Sequence, residues 1–202
     1  MRISIYHLFL LFIAGLPVIA QQNSNDKNFL LDHFEETSQN LENEISGLSS
    51  EQMHFKSSPE KWSISQCIEH IVLTEKMLFE MNFSEMKKTN NPERKGEVKI
   101  MDKEILEVME DRSKKFKADE SLIGKGKYNH PLEALTEFQE QRRMVLNYIQ
   151  QTPLETFRNH ITDSPFGPVD AYQSMLFIAG HSARHTLQIE DIKASEGFPE
   201  KE

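Results

Sequence analysis

The chain has 202 residues with 32 acidic and 23 basic side chains, so its formal net charge is −9 at pH 7. This length suits a single domain with a substantial core. The acidic balance, without a basic patch interleaved with aromatic residues, argues against nucleic-acid binding, although it names no other partner.

Residues 1–20 differ in composition from the rest of the chain. Arg2 precedes a short apolar run, and Val18 and Ala20 occupy the −3 and −1 positions of a cleavage site after Ala20. This pattern is typical of a secretory signal peptide. Cleavage would leave residues 21–202 as one domain with a net charge of −10, because one basic residue is lost. We therefore expect an exported bacterial protein, periplasmic or extracellular, without a stable membrane anchor; the alternative is an uncleaved anchor.

Helical periodicity extends over almost all of the remaining sequence, and alternating strand patterns are nearly absent. Ser63 with Gln66 and Asp170 with Gln173 form capping-box patterns, and Pro131 suits the first position of a helix. The predicted helices span residues 27–47, 63–87, 102–117, 131–151 and 170–195.

Four of these helices are long, and the shorter one lies between the second and third of them. Connections of moderate length predict an all-α fold, a four-helix bundle with an extra short helix. The stretch "RNHITDSPFGPVD" contains two prolines and a glycine, and we expect it to be a loop.

Cys67 is the only cysteine, so the chain cannot close an internal disulfide. Its stability must then come from packing or from a metal. The sulfur is more simply a small buried apolar group than a nucleophile.

The stretch "AGHSARHTLQIEDI" carries His181 and His185 four residues apart. This spacing puts both imidazoles on one face of a helix, one turn apart, where two nitrogens can reach one ion. Ile178 and Ile189 lie on or beside the same stripe, so the face should point into the bundle. Buried imidazoles carry a desolvation cost that a metal would offset. The alternative is a pair of ordinary histidines hydrogen-bonded to nearby carbonyls.

A catalytic metal site usually has three protein ligands and an open position. His70 is the best third candidate, because it lies in the middle of a predicted helix with Thr74 one turn after it. We expect Gln66 and Gln188, each one turn from a candidate ligand, to hold an imidazole N–H. Three imidazoles suit zinc, nickel or iron(II).

Three segments resemble the DinB-like superfamily: "PEKWSISQCIEHIVLTE", "PLEALTEFQEQRRMVLNYI" and "PFGPVDAYQSMLFIAGHSARHTLQIEDIK". In that family a Trp-Ser pair opens the second helix, a histidine follows about two turns later, and an H-x-x-x-H pair precedes a Gln-Ile on the last long helix. The matching residues here are Trp62, Ser63, His70, His181, His185, Gln188 and Ile189. The resemblance covers about residues 28–195.

The resemblance implies an up-down-down-up bundle with a divalent metal at one end, held by His70, His181 and His185. It also implies a metal-dependent hydrolase or thiol S-transferase acting on a small molecule. Such an ion can activate water or hold a thiolate, so these ligands do not choose between the two reactions. The alternatives are a non-enzymatic bundle that binds a metal or a protein, and a bundle without metal. Helical bundles often form homodimers, but no residue of this sequence requires one.

The sequence assigns no catalytic general base. Adjacent helical residues point about 100° apart, so Glu69 should face solvent beside His70. Glu75 and Asp163 are the conceivable bases.

Other residues have expected places around the site. Arg184 should pair with Glu190 or Asp191, with anion binding as the alternative. Trp62 should be a core residue. Loop positions that are expected to border the site are Tyr128, Phe166 and Gly167.

Overall fold

The computed structural model describes residues 16–200, with side chains described from residue 25 onward. The expected signal peptide lies outside the described residues, except for the backbone of its last five residues at the start of the first helix. Within the described part, no helix is long and apolar enough to cross a membrane.

Four long helices form the frame of the domain, and shorter elements connect them. The helices are α1 (Leu16–Ile45), α2 (Ser50–His54), α3 (Ile64–Glu85), α4 (Asp102–Glu110), α5 (Pro131–Gln151), α6 (Leu154–Arg158) and α7 (Ala171–Lys193), with 3₁₀ turns at Pro92–Glu97 and Glu120–Leu122. Strands β1 (Ile161–Ser164) and β2 (Gly167–Asp170) form one antiparallel hairpin.

Hydrogen bonds between helix ends fix the directions of α1, α5 and α7. The Lys27 ammonium donates to the Gln150 carbonyl at 2.7 Å, which joins the first half of α1 to the end of α5. The Tyr172 hydroxyl donates to the Asp26 carbonyl at 2.9 Å, which brings the start of α7 to the same end. Helix α7 therefore runs parallel to α1, and α5 runs antiparallel to both.

Helix α3 runs parallel to α5. The Ser65 hydroxyl, at the start of α3, donates to the Tyr128 carbonyl just before α5. At the other end of α3, the Asn82 amide donates to the Ala171 carbonyl at the start of α7. The topology is up-down-down-up, and the predicted all-α four-helix bundle is confirmed. Two parallel neighbours need a long connection, here residues 86–130, which we call the crossover.

Two apolar clusters fill the bundle, one toward each end. Cys67 is fully buried in the cluster at the end where α3 and α5 begin, and burial raises the pKa of its thiol to about 12. The sulfur is therefore an apolar packing group, as predicted. Between the clusters lies a buried polar layer around Arg142, whose guanidinium bonds to residues of α1, α3 and α7.

Four of the five predicted helix starts are confirmed, but α1 begins at Leu16 rather than near Lys27, and two connecting segments differ from expectation. Both capping boxes form, and Pro131 begins α5. The stretch expected to be a loop contains the β1–β2 hairpin, in which Ile161 pairs with Asp170 and Ser164 with Gly167. Its four-residue strands are too short for their alternation to stand out in the sequence.

Helix α4 ends at Glu110 rather than at Lys117. The Arg184 guanidinium donates hydrogen bonds to the backbone carbonyls of Met109, Asp111 and Lys114. Carbonyls that a longer helix would use internally are thus held by α7, and the chain continues as an irregular segment.

Candidate metal centre

The two helices α3 and α7 bring three histidines together near the end of the bundle where α3 begins. One ring nitrogen from each of His70, His181 and His185 lies within 4.8 Å of the others. The Nε2 atoms of His70 and His181 are 3.2 Å apart, and the three ring centroids are separated by 4.5 to 5.0 Å. The three predicted site residues therefore form one cluster.

The geometry of the cluster fits a metal ion. Ligand bonds of about 2.0–2.1 Å at a tetrahedral angle place two imidazole nitrogens about 3.3 Å apart. The separation of His70 and His181 is already close to this value. Three convergent nitrogens without a carboxylate in the cluster are the donor set expected for zinc, nickel or iron(II).

Hydrogen bonds on the far side of two rings set their tautomers. His70 Nδ1 donates to the Leu122 carbonyl at 2.7 Å, and His185 Nδ1 pairs with the Gln188 side-chain oxygen at 2.9 Å. Each ring then presents an Nε2 lone pair, as a metal ligand must. The predicted role of Gln188 is confirmed. That of Gln66 is wrong, because its side chain bonds to Ser63 and Gly124, and Leu122 of the crossover supports His70 instead.

Burial keeps the three imidazoles neutral. Desolvation lowers the pKa of His70. It lowers the pKa of His181 well below its ordinary value, and the neighbouring His185 and His70 add to this effect. Desolvation, followed by the charge of His70, lowers the pKa of His185 to about 3. Because a metal binds the neutral ring, the site is ready for an ion near neutral pH without first losing protons.

The crossover is fixed to α3 by a second set of bonds beside His70. The Glu69 carboxylate accepts the backbone N–H groups of Lys125, Gly126 and Lys127 at 2.7, 2.7 and 3.1 Å. The expectation that Glu69 faces solvent is wrong, since it is 7% exposed beneath the crossover. The same contacts hold the segment that carries the Leu122 carbonyl against His70.

A cavity of about 960 Å³ lies beside the three histidines. It is bounded by α3, α7, the crossover and the turn of the hairpin, where Phe166 lines it as predicted. Trp62 also lines it, with its ring centroid 4.9 Å from that of His70 and 6.1 Å from that of His185. Trp62 is thus half-buried: it packs against the apolar cluster at this end, as expected of a core residue, and also forms part of the cavity wall.

Residues 33–189 match the family model of the DinB superfamily. The chain belongs to this superfamily. It is also 26% identical over 151 residues to the uncharacterized protein YuaE of Bacillus subtilis (strain 168), a match that covers 75% of this chain and 89% of YuaE. The fold is similar to that of YfiT from Bacillus subtilis, with a TM-score of 0.59, 12% identity, and coverage of 86% of this chain and 89% of that one. YfiT is described as a probable metal-dependent hydrolase with an unusual four-helix bundle topology.

The two conceivable general bases of this DinB-superfamily chain lie outside the cluster of three histidines. Glu75 is buried against Arg142 and Ser182, and Asp163 is an exposed partner of Arg94 in the hairpin. Neither lines the cavity, so neither is placed as a general base.

Two further expectations are corrected at the cavity. Arg184 binds carbonyls of the crossover, and it is Arg112 that pairs with Asp191, at 2.9 Å. Tyr128 is buried against the start of α3, and Gly167 is not part of the cavity wall.

Proposed function

We propose that this protein is a metal-dependent hydrolase of a small molecule, with a divalent zinc, nickel or iron(II) ion held by His70, His181 and His185. The observation that carries the proposal is the convergence of three neutral imidazoles, two buried and one half-buried, within 4.8 Å at the wall of a large cavity. The description of YfiT as a probable metal-dependent hydrolase supports the same reaction class.

Chain residues around the cluster have defined parts in this proposal. The Leu122 carbonyl and Gln188 hold the Nδ1 protons of His70 and His185, which orients both rings. Trp62 packs against the same two rings and shields one side of the cluster from water. A bound divalent ion would supply Lewis acidity that activates a nucleophile, water for hydrolysis or a thiol for S-transfer.

The non-enzymatic alternative requires a closed fourth ligand position. Among the described residues, the cluster contains no fourth histidine, cysteine or carboxylate. The cavity, which all three histidines line, adjoins it. This arrangement favours a site that admits a small molecule over one that only stores a metal.

Metal content of the purified protein, prepared without a histidine tag, tests the proposal. Samples are loaded with zinc, nickel or iron(II) under anaerobic conditions, and bound metal is measured by mass spectrometry. We expect about one ion per chain for the wild type and none for the variant His181→Ala/His185→Ala. The matched control is His54→Ala/His130→Ala, which removes two exposed histidines and should keep the metal.

Ester hydrolysis on the same samples tests the enzymatic part. p-Nitrophenyl esters of increasing acyl length should be cleaved only by metal-loaded wild type and control. A wild type that binds no ion would overturn the metal site. A wild type that binds metal but cleaves nothing would favour S-transfer or simple binding, to be separated by an assay with a small thiol and an electrophile.

A further inference from the structure

The lining of the cavity has the opposite charge balance to the chain as a whole. The protein carries a net charge of −9. The cavity is nevertheless lined by only two acidic residues, Glu60 and Asp119, against the basic residues Lys61, Arg112, Lys115, Lys117 and Arg184. Three of the five basic residues belong to one stretch of the crossover, "RSKKFK".

Most of this positive charge is not cancelled by neighbours. Among the described residues, no carboxylate lies within 4.0 Å of the ammonium groups of Lys61, Lys115 or Lys117, whereas Arg112 is paired with Asp191. Arg184 is 9% exposed, and the hydrogen bonds that it makes go to neutral carbonyls. The carboxylate that interacts with its charge, that of Asp111, does not line the cavity.

The acidic groups of the lining have partners of their own. The Asp119 carboxylate accepts from the backbone and the hydroxyl of Ser121, and the Glu60 carboxylate accepts from Ser58. These bonds come from neutral donors and leave both carboxylates charged. The lining thus has two negative side chains against five positive ones, and its charge balance is positive.

The rest of the wall is apolar. Phe116 is 64% exposed at the rim, between Lys115 and Lys117, and its ring faces the Arg184 guanidinium at 5.4 Å. Apolar side chains continue from there into the cavity, and they include Met77, Leu78, Val108, Leu122, Phe166 and Phe177. A volume of about 960 Å³ is within the range of sites for small organic ligands.

We infer that the cavity binds an amphiphilic anion, a small molecule with an apolar or aromatic body and a carboxylate, phosphate or sulfonate group. Its apolar body would contact the phenylalanine and methionine side chains. Its anionic group would lie near the lysines of the rim, because a cleft lined by one sign of charge concentrates ligands of the opposite sign. The inference deepens the proposed function by naming the substrate class of the same site.

Two fluorescent probes with the same ring system test the inference. They are 8-anilinonaphthalene-1-sulfonate, an amphiphilic anion, and N-phenyl-1-naphthylamine, which lacks the sulfonate. The rim variant Lys61→Gln/Lys115→Gln/Lys117→Gln removes three exposed, unpaired charges. The control Lys76→Gln/Lys88→Gln/Lys103→Gln removes three exposed lysines outside the cavity. Binding is measured with and without a chelator.

We expect the wild type to bind the sulfonate probe more tightly than the neutral one. The rim variant should bind the sulfonate about fivefold more weakly, with the neutral probe changed by less than about twofold, and added salt should reduce the same difference. The control variant should match the wild type with both probes. Equal losses for both probes, equal losses in rim and control variants, or no loss in the rim variant would overturn the inference.

Two further readouts distinguish the anion site from the metal site and from a membrane-binding surface. Metal content of the same samples separates the two proposals: a wild type without metal that still prefers the sulfonate retains the anion site and loses the metal enzyme. Co-sedimentation with phosphatidylglycerol vesicles, compared with phosphatidylcholine vesicles, tests the exposed Phe116 loop as a membrane contact. Rim-dependent vesicle binding without probe discrimination would assign these lysines to a lipid surface and overturn the small-molecule site.

Discussion

Gly124 is the residue on which the support of His70 most depends. A side-chain carbon at this position would overlap the backbone carbonyl of Gln66 in α3. Only a glycine lets the crossover approach α3 so closely two residues after Leu122, whose carbonyl holds His70 Nδ1. No sequence pattern indicates this requirement, because it arises from two segments that meet through the fold.

We expect Gly124→Ala to push the crossover away from α3 and to move the Leu122 carbonyl from His70. Loss of such a supporting bond typically weakens metal affinity by about 10- to 100-fold. Isothermal titration with zinc measures it. The matched control is Gly96→Ala, where nothing lies within 4 Å of the added carbon and affinity should not change. Equal affinities for the two variants would show that the Leu122 carbonyl is not needed.

Residue-level predictions succeeded where the cause was local. The four-residue spacing of His181 and His185, and the position of Gln188 one turn after His185, are properties of one helix and can be read directly. His70 lies on another helix, so only its mid-helix position pointed to it, and the family resemblance then supported the choice. Glu69 was misplaced because the segment that covers it is the irregular crossover, and no periodicity indicates where such a segment lies.

At the scale of elements, one guanidinium ties the four long helices together. Arg142 of α5 bonds to Glu75 of α3 at 2.8 Å, to the Phe34 carbonyl and Thr37 hydroxyl of α1, and to Ser182 of α7. Arg142 and Glu75 are almost fully buried. These bonds fix the positions of the four helices relative to one another along the bundle axis. Ser182, which follows His181 in α7, belongs to this buried polar layer.

We expect Arg142→Met to lower the free energy of unfolding by about 3–5 kcal/mol, because it leaves the Glu75 carboxylate buried without its partner. Arg142→Met/Glu75→Met should be less destabilised than Arg142→Met alone, since no unpaired charge remains. Urea denaturation of the wild type, both single variants and the double variant measures the coupling. Strictly additive losses would mean that the two charges do not stabilise each other.

The elements themselves were predictable to different degrees. Capping boxes and proline placed the starts of α3, α5 and α7, since these signals act within one turn. The end of α4 was not readable, because Arg184 of α7 decides it through carbonyls far along the chain. The role of the basic stretch of the crossover is not readable from the sequence for a similar reason: its charge matters only because the fold places it at the cavity.

At the scale of the whole molecule, the buried histidines link stability to pH. In the metal-free protein their pKa values are lowered by burial, that of His185 to about 3, whereas an unfolded chain protonates them near 6.5. Below about pH 6.5 the unfolded state thus binds more protons than the native state. The stability contributed by the neutral rings is present above that pH and is lost as the pH falls toward 3.

With chelator present, we expect the urea midpoint of the wild type to fall more steeply between pH 7 and pH 5 than that of His181→Ala/His185→Ala. The free energies of unfolding calculated from these midpoints should diverge by roughly 1 kcal/mol per pH unit for each histidine removed. His54→Ala/His130→Ala should follow the wild type, because its histidines are exposed. Parallel curves for all three proteins would mean that the buried rings take up protons as readily in the native state as in the unfolded one.

The separation of the ligands along the chain has a consequence for assembly. His181 and His185 come together as soon as one helical turn of α7 forms, but His70 is 111 residues away from His181 and arrives only when α3 docks. An early folding species can thus offer an ion two imidazoles at most, and the third marks completed tertiary structure. Zinc added during refolding would then be bound tightly only in the last step, so the time at which tight binding begins would report when the bundle closes.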